Sequence, residues 1–149
     1  MQKRPAADLS RLQSDAAANY LLLQRLWHQP EQGVQLIGLR QHGRDLGFLR
    51  LQQLELTTWT QLLQLQFFAE SEHPWLRPVS LEIRVYHDVK LAEVIRFQQQ
   101  QPREGQYNYP NEQMFHPDEK VQVNAFLKEW LKLALDRGYT PKEEVLPYG

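Results

Sequence analysis

A chain of 149 residues with 42% hydrophobic content is long enough for one domain with a core of its own. Lysine and arginine number 17 against 18 aspartates and glutamates, so a net charge of -1 gives no general attraction to phosphate backbones or anionic membranes. Cysteine is absent, which excludes disulfides, a thiol nucleophile and a cysteine-based zinc site. The start, MQKRPAADLSRL, lacks the apolar stretch of a signal peptide. No run approaches the roughly 18 apolar residues of a membrane span, so the expected localisation is cytoplasmic, without a membrane partner.

Met1 to Ala7 reads as a flexible leader. A helix is expected from Asp8 or Ser10, either of which can cap it, with Leu9, Leu12, Ala16, Tyr20, Leu23 and Trp27 on an apolar stripe. Pro30 and Gly33 end it. Gly33 to Leu39 reads as a short strand, and Gln41 to Asp45 as a turn in which Gly43 is free to take positive φ. Leu46 to Leu56 and Trp59 to Phe68 read as two further strands around a turn at Thr57-Thr58. Their alternation is imperfect, and their leucines and glutamines also suit helix. Glu70 to Pro78 is a loop with Trp75 between two prolines.

Val79 to Phe97 is the clearest strand–turn–strand. Val79, Leu81, Ile83 and Val85 alternate with Ser80, Glu82, Arg84 and Tyr86, which puts the aliphatic set on one face. A turn centred on Asp88-Val89 sets Val85 opposite Ala92, Ile83 opposite Val94 and Arg84 opposite Glu93. The plain reading of Arg84 and Glu93 is a cross-strand ion pair. The alternative is that Arg84, His87 and Glu93 crowd one end of the sheet and bind something. Gln98 to Gln106 follows as a polar, flexible loop, and Tyr107 to Asn111 as an aromatic turn. Pro117 then opens a second helix, with Asp118 and Glu119 in its first turn, where the helix dipole favours negative charge. Val123, Phe126, Leu127, Trp130, Leu131 and Ala134 form its apolar face, Arg137 lies in its last turn and Gly138 stops it. Tyr139 to Gly149 reads as a tail laid over the surface.

These elements define an α+β fold: one domain over 1–149, with a mostly antiparallel sheet of four to six strands packed against N- and C-terminal helices. A sheet curved around the C-terminal helix is the expected shape, because that helix is the more apolar of the two.

Arg84-Val85-Tyr86-His87-Asp88, Ala92-Glu93-Val94, Tyr107 with Tyr109-Pro110-Asn111, Asp118-Glu119-Lys120, Asn124, Phe126-Leu127 and Trp130-Leu131 occur in that order. The ordered set resembles the YqiB-like family of uncharacterised bacterial proteins, most strongly over about residues 83–131. That resemblance implies a small soluble bacterial protein and carries no substrate.

The candidate polar cluster is Arg84, Tyr86, His87, Asp88, Glu93, Tyr109, Asn111, Glu119, Lys120 and Asn124. A histidine such as His87 can serve as base, acid, metal ligand or structural hydrogen-bond partner. Asp88 reads first as a turn cap bonding its own backbone. Lys120 and Asn124, four apart on one helix face, either present donors to a ligand or tie the helix end to the Tyr-Pro-Asn loop. The histidines His28, His42, His73, His87 and His116 show no zinc-ligand spacing, and no nucleophile elbow, P-loop or dinucleotide glycine pattern is present. No metal site or cofactor is therefore assigned.

The first functional expectation is a non-enzymatic binding or regulatory protein of the bacterial cytosol, with an unknown protein or small-molecule partner. The alternative is a small hydrolase or ligand-binding enzyme built on a His87/carboxylate cluster, with or without metal assistance, in which His87 acts as base or metal ligand, Asp88, Glu93 or Glu119 is the carboxylate, and Arg84 or Lys120 holds an anion. Nucleic-acid binding ranks last, because it would need a basic, aromatic-studded face.

Overall fold

Period-two alternation through the middle of the chain builds a single antiparallel sheet, and the two helices close one of its faces. The computed structural model describes residues 5–70, 78–101, 105–108 and 117–140. Helix α1 (Pro5–Leu26) leads into β1 (Val34–Gln41), β2 (Arg44–Leu56), β3 (Thr60–Ala69), β4 (Val79–Tyr86), β5 (Leu91–Gln101) and β6 (Gly105–Asn108). Helix α2 (Pro117–Arg137) and the two-residue strand β7 (Gly138–Tyr139) follow. The strand order is β6-β5-β4-β3-β2-β1-β7: a six-strand meander with β7 added beside β1. The expected α+β class and antiparallel sheet are observed, with β7 as an edge strand beyond the anticipated count.

Alternation fixes what each face carries. Ile37, Leu39, Leu49, Leu51, Leu63, Leu65, Phe67, Leu81, Ile83, Val85, Ala92, Val94 and Phe97 are all buried in one core cluster. Each fully buried aliphatic or aromatic side chain of this kind contributes roughly 1.5–3 kcal/mol. The register of β4 on β5 is the expected one, with Val85 opposite Ala92, Ile83 opposite Val94 and Arg84 opposite Glu93. A register shift follows, since Glu82 pairs with Arg96 and Ile83 with Val94. Ile95 is thus an extra residue. It switches the parity of the strand, so Phe97 faces the core as Ala92 and Val94 do.

Both helices share the core face. Leu23, Leu26 and Trp27 come from the α1 end, and Val123, Leu127, Leu131 and Ala134 from α2. The helices run antiparallel, since Asp15 meets Lys128 and Asn19 meets Asn124. The sheet is therefore not wrapped around α2 alone, as its apolar face suggested. On the flank of α2, Trp130 packs on Phe67 with centroids 4.7 Å apart, and Phe126 meets Phe97 edge-on at 5.8 Å.

Three local expectations are corrected. Helix α1 begins at Pro5, so Asp8 and Ser10 lie inside it, and Leu9 is exposed instead of joining the stripe. The glutamines Gln98–Gln101 are not loop: they extend β5 and pair with β6, Gln98 opposite Asn108 and Gln101 opposite Gly105. Tyr139 is not part of a surface tail but pairs with Gly38 as β7. Its ring lies where a Cβ on Gly38 would sit, and the Arg40 guanidinium stacks on it at 4.4 Å. The bounds of α2 are those the sequence indicates, Pro117 opening it and Gly138 ending it. The turn between β1 and β2 holds His42 and Gly43 at φ of 54° and 76°, the pair of positive angles a two-residue hairpin requires.

Candidate functional site

His87 opens the turn between β4 and β5, and both of its ring nitrogens are engaged. Nδ1 lies 3.0 Å from the Tyr20 hydroxyl of α1, and Nε2 lies 3.1 Å from Oε1 of Gln61 on β3. Gln61 in turn donates from Nε2 to Oε1 of Gln53 on β2 at 2.7 Å. With the ring hydrogen on Nε2 the whole chain is satisfied: Tyr20 O–H donates to Nδ1, and Nε2–H donates to Gln61. The Tyr20 ring also meets the imidazole edge-on, with centroids 5.6 Å apart. His87 therefore joins α1 to the sheet, and no nitrogen is left over for a substrate or metal. Asp88, beside it, accepts from the Val89 N–H at 3.0 Å, the bond expected of a turn residue.

Arg84 and Glu93 face each other across β4 and β5 on the side of the sheet away from the helices, but they do not form the expected pair. Arg84 reaches Glu55 of β2 at 3.5 Å, across Leu62 of β3, and Glu93 reaches Lys120 of α2 at 3.4 Å. The charges alternate along one row, from Glu55 through Arg84 and Glu93 to Lys120. Half-exposed pairs of this length are worth little individually, about 0–1 kcal/mol.

Tyr86 lies at the end of the same face. Burial raises its phenol above the ordinary 10.0, the Glu93 carboxylate raises it further, and Arg84 acts in the opposite sense. A folded-state value above the unfolded one means the protonated phenol adds stability below about pH 10 that is lost as pH climbs through the raised value. Tyr86→Phe should remove this component. Urea midpoints measured from neutral to strongly alkaline pH should fall less steeply in the variant than in the wild type, and equal slopes would exclude the effect.

Asn124, fully buried on α2, is the most connected residue of the candidate set. Its Oδ1 accepts from the Val94 N–H at 2.9 Å, and its Nδ2 donates to the Lys120 carbonyl at 2.8 Å. Its own carbonyl accepts from Nδ2 of Asn19 on α1 at 3.1 Å. Lys120 and Asn124 thus tie α2 to β5 and α1, where the sequence suggested either a ligand or the Tyr-Pro-Asn loop. Glu119 is half-buried in the first turn of α2. Tyr109 and Asn111 lie outside the described residues, as do His73, Trp75 and His116.

The described members of the set fall in three places: the turn at His87-Asp88, the outer sheet face at Arg84, Tyr86 and Glu93, and helix α2 at Glu119, Lys120 and Asn124. No group of three or more histidine, aspartate or glutamate side chains could hold a metal among the described residues. Sequence reasoning missed the α1 side of this polar seam. Asp15 is buried against Lys128 at 2.9 Å, with Arg11 at 3.7 Å, and Asn19 and Tyr20 bind Asn124 and His87. The available signal was that Asp15 and Asn19 are polar at eight and four residues before the buried Leu23, on a face otherwise apolar. It also missed the hairpin tip at Trp59, whose exposure of 61% stands out in a chain whose other described tryptophans, Trp27 and Trp130, are buried or partly buried.

Two antiparallel helices on one face of an antiparallel meander, joined to it by a seam of buried amides and one histidine, define a small α+β protein whose described polar residues mostly serve its own architecture. The chain belongs to the family described as protein of unknown function (DUF1249), whose model matches residues 22–140. It is 38% identical over 89 residues to the uncharacterized protein YqiB of Escherichia coli strain K12, and equally to YqiB of E. coli O6:H1 and O157:H7. Each match covers 60% of this chain and 63% of the relative, so the chain spans about three fifths of the length of the curated relatives it matches. No solved structure matches it. No described helix is long and apolar enough to cross a membrane.

Proposed function

We propose that this is a non-enzymatic binding or regulatory protein of the bacterial cytosol, acting as a single α+β domain. The observation that carries the reading is the exposed Trp59 on a braced turn. Thr57 and Thr60 close that turn through a backbone bond of 2.8 Å, a hydroxyl contact of 2.7 Å and a bond from the Thr60 N–H to Thr57 Oγ1 of 3.0 Å. The Trp59 carbonyl accepts from the His87 N–H at 2.8 Å, which fixes the β2–β3 tip to the β4–β5 tip. Leu54, Leu56 and Val89 are exposed on the same two hairpins. An exposed tryptophan on a braced turn offers a large contact area to a partner. The engagement of His87 and Asn124 within the fold supports the same reading against the hydrolase alternative.

Capture from bacterial lysate with wild type and with Trp59→Ser tests it. A partner bound by the wild type should bind the variant about thirtyfold more weakly, with circular dichroism unchanged. Identical captured proteins on both would sink the proposal.

A further inference from the structure

The charges around the tip indicate what it binds. Val89 is exposed between Asp88 and Lys90. Asp88 spends one oxygen on the Val89 N–H, and neither Asp88 nor Lys90 has an ion-pair partner among the described residues. Lys90 also holds φ at 58°, a conformation open to glycine without strain. The turn thus carries an ammonium at a position where the backbone alone would favour no side chain.

We infer that this tip is a self-association surface, on which two copies of the chain meet about a two-fold axis. In such an interface each residue that contacts a second one is matched by the reverse contact. An apolar residue flanked by one acid and one base meets that condition by itself, with Asp88 of one copy against Lys90 of the other and Val89 and Trp59 near the axis. A polyanion is poorly served by the same tip, because its charges cancel. The net charge of -1 adds little repulsion between copies. Four exposed side chains fall short of the roughly 800 Å² per partner of a standard interface, so the complex belongs to the weak, concentration-dependent class. The inference rests on the binding reading above, since it uses the same turn, and names the partner.

Sedimentation equilibrium of the purified chain from micromolar to near-millimolar concentration tests it. The wild type should self-associate reversibly, and Trp59→Ser should weaken this about thirtyfold. Lys90→Asp leaves two carboxylates on the tip and Asp88→Lys two ammonium groups. Each variant alone should associate about tenfold more weakly than wild type, and an equimolar mixture should recover the wild-type level by pairing one with the other. Lys90→Gly should raise the melting temperature while weakening association, an opposition that a purely structural role would not give. A wild type that stays monomeric throughout, or a mixture no more associated than its components, overturns the inference. A monomeric wild type that still captures a Trp59-dependent partner from lysate overturns the self-association alone. Absence of both overturns the binding reading as well.

Discussion

Replacing Asn124 by alanine should lower the melting temperature by about 9 °C, the equivalent of about 3 kcal/mol for a chain of this size. Between Leu91 and Phe97 the edge of β5 has no strand beside it among the described residues, because β6 pairs only from Gln98 onward. Helix α2 crosses that edge, and the Asn124 amide completes the hydrogen bond of the Val94 N–H. Truncation leaves this donor buried without a partner, at a cost of about 1–3 kcal/mol, and leaves a void where a fully buried side chain stood. The bond from Asn19 goes to the Asn124 backbone carbonyl and survives the change, so the experiment isolates the side chain. Hydrogen exchange adds a local readout: the Val94 amide should exchange faster by more than global destabilisation explains. A loss below about 2 °C would mean that the edge is held by packing alone.

Asn124 also shows where sequence reasoning stopped. Its position on the face of a helix was legible, since Pro117, the apolar spacing and Gly138 mark α2 from end to end. Which strand edge that helix would cross was not, because nothing local encodes the partner of a residue that bonds β5 thirty positions earlier. His87 is a similar case. The β4–β5 register followed from the alternation of Val79 to Val85, and it placed His87 in the turn. Its bonds to Tyr20 and Gln61 depend on how α1 and β3 are packed around that turn. Arg84 and Glu93 illustrate the limit from the other side: the opposition of their Cα atoms was read correctly, yet their ion pairs go to Glu55 and Lys120. Long side chains choose among several lateral neighbours, and strand register constrains only one of them. The glutamines at Gln98–Gln101 were misread because their composition is that of a loop, whereas their conformation is imposed by a ladder already running from Leu91 and continued by pairing with β6.

Gly47→Ala should be the harshest single-methyl change in the sheet, costing about 4 kcal/mol and about 12 °C in melting temperature. Gly47 lies on β2 at a break in its register with β1, where Leu39 pairs with Gly47 but Arg40 pairs with Asp45, leaving Leu46 as the extra residue. The bulge holds Gly47 at φ of 141°, a conformation that an L side chain rarely adopts. It also brings the backbone of β3 against it: an added Cβ would collide with the Phe68 carbonyl oxygen and lie 2.9 Å from Cα of Ala69. Both atoms are backbone, held where Phe68 and Ala69 pair with Phe48 and Gly47 of β2, and the Glu70 N–H is bonded to the Leu46 carbonyl at 3.0 Å. Gly43 supplies the control. It too has positive φ, 76°, but nothing lies within 4 Å of where its Cβ would be, so Gly43→Ala should cost only the conformational strain of about 1–2 kcal/mol. The difference between the two melting temperatures therefore reports the close approach of β3 to the bulge together with the greater strain of an L side chain at φ of 141° than at 76°. Equal losses in the two variants would show that strand β3 yields, and that the glycine at 47 is required for its backbone angle alone.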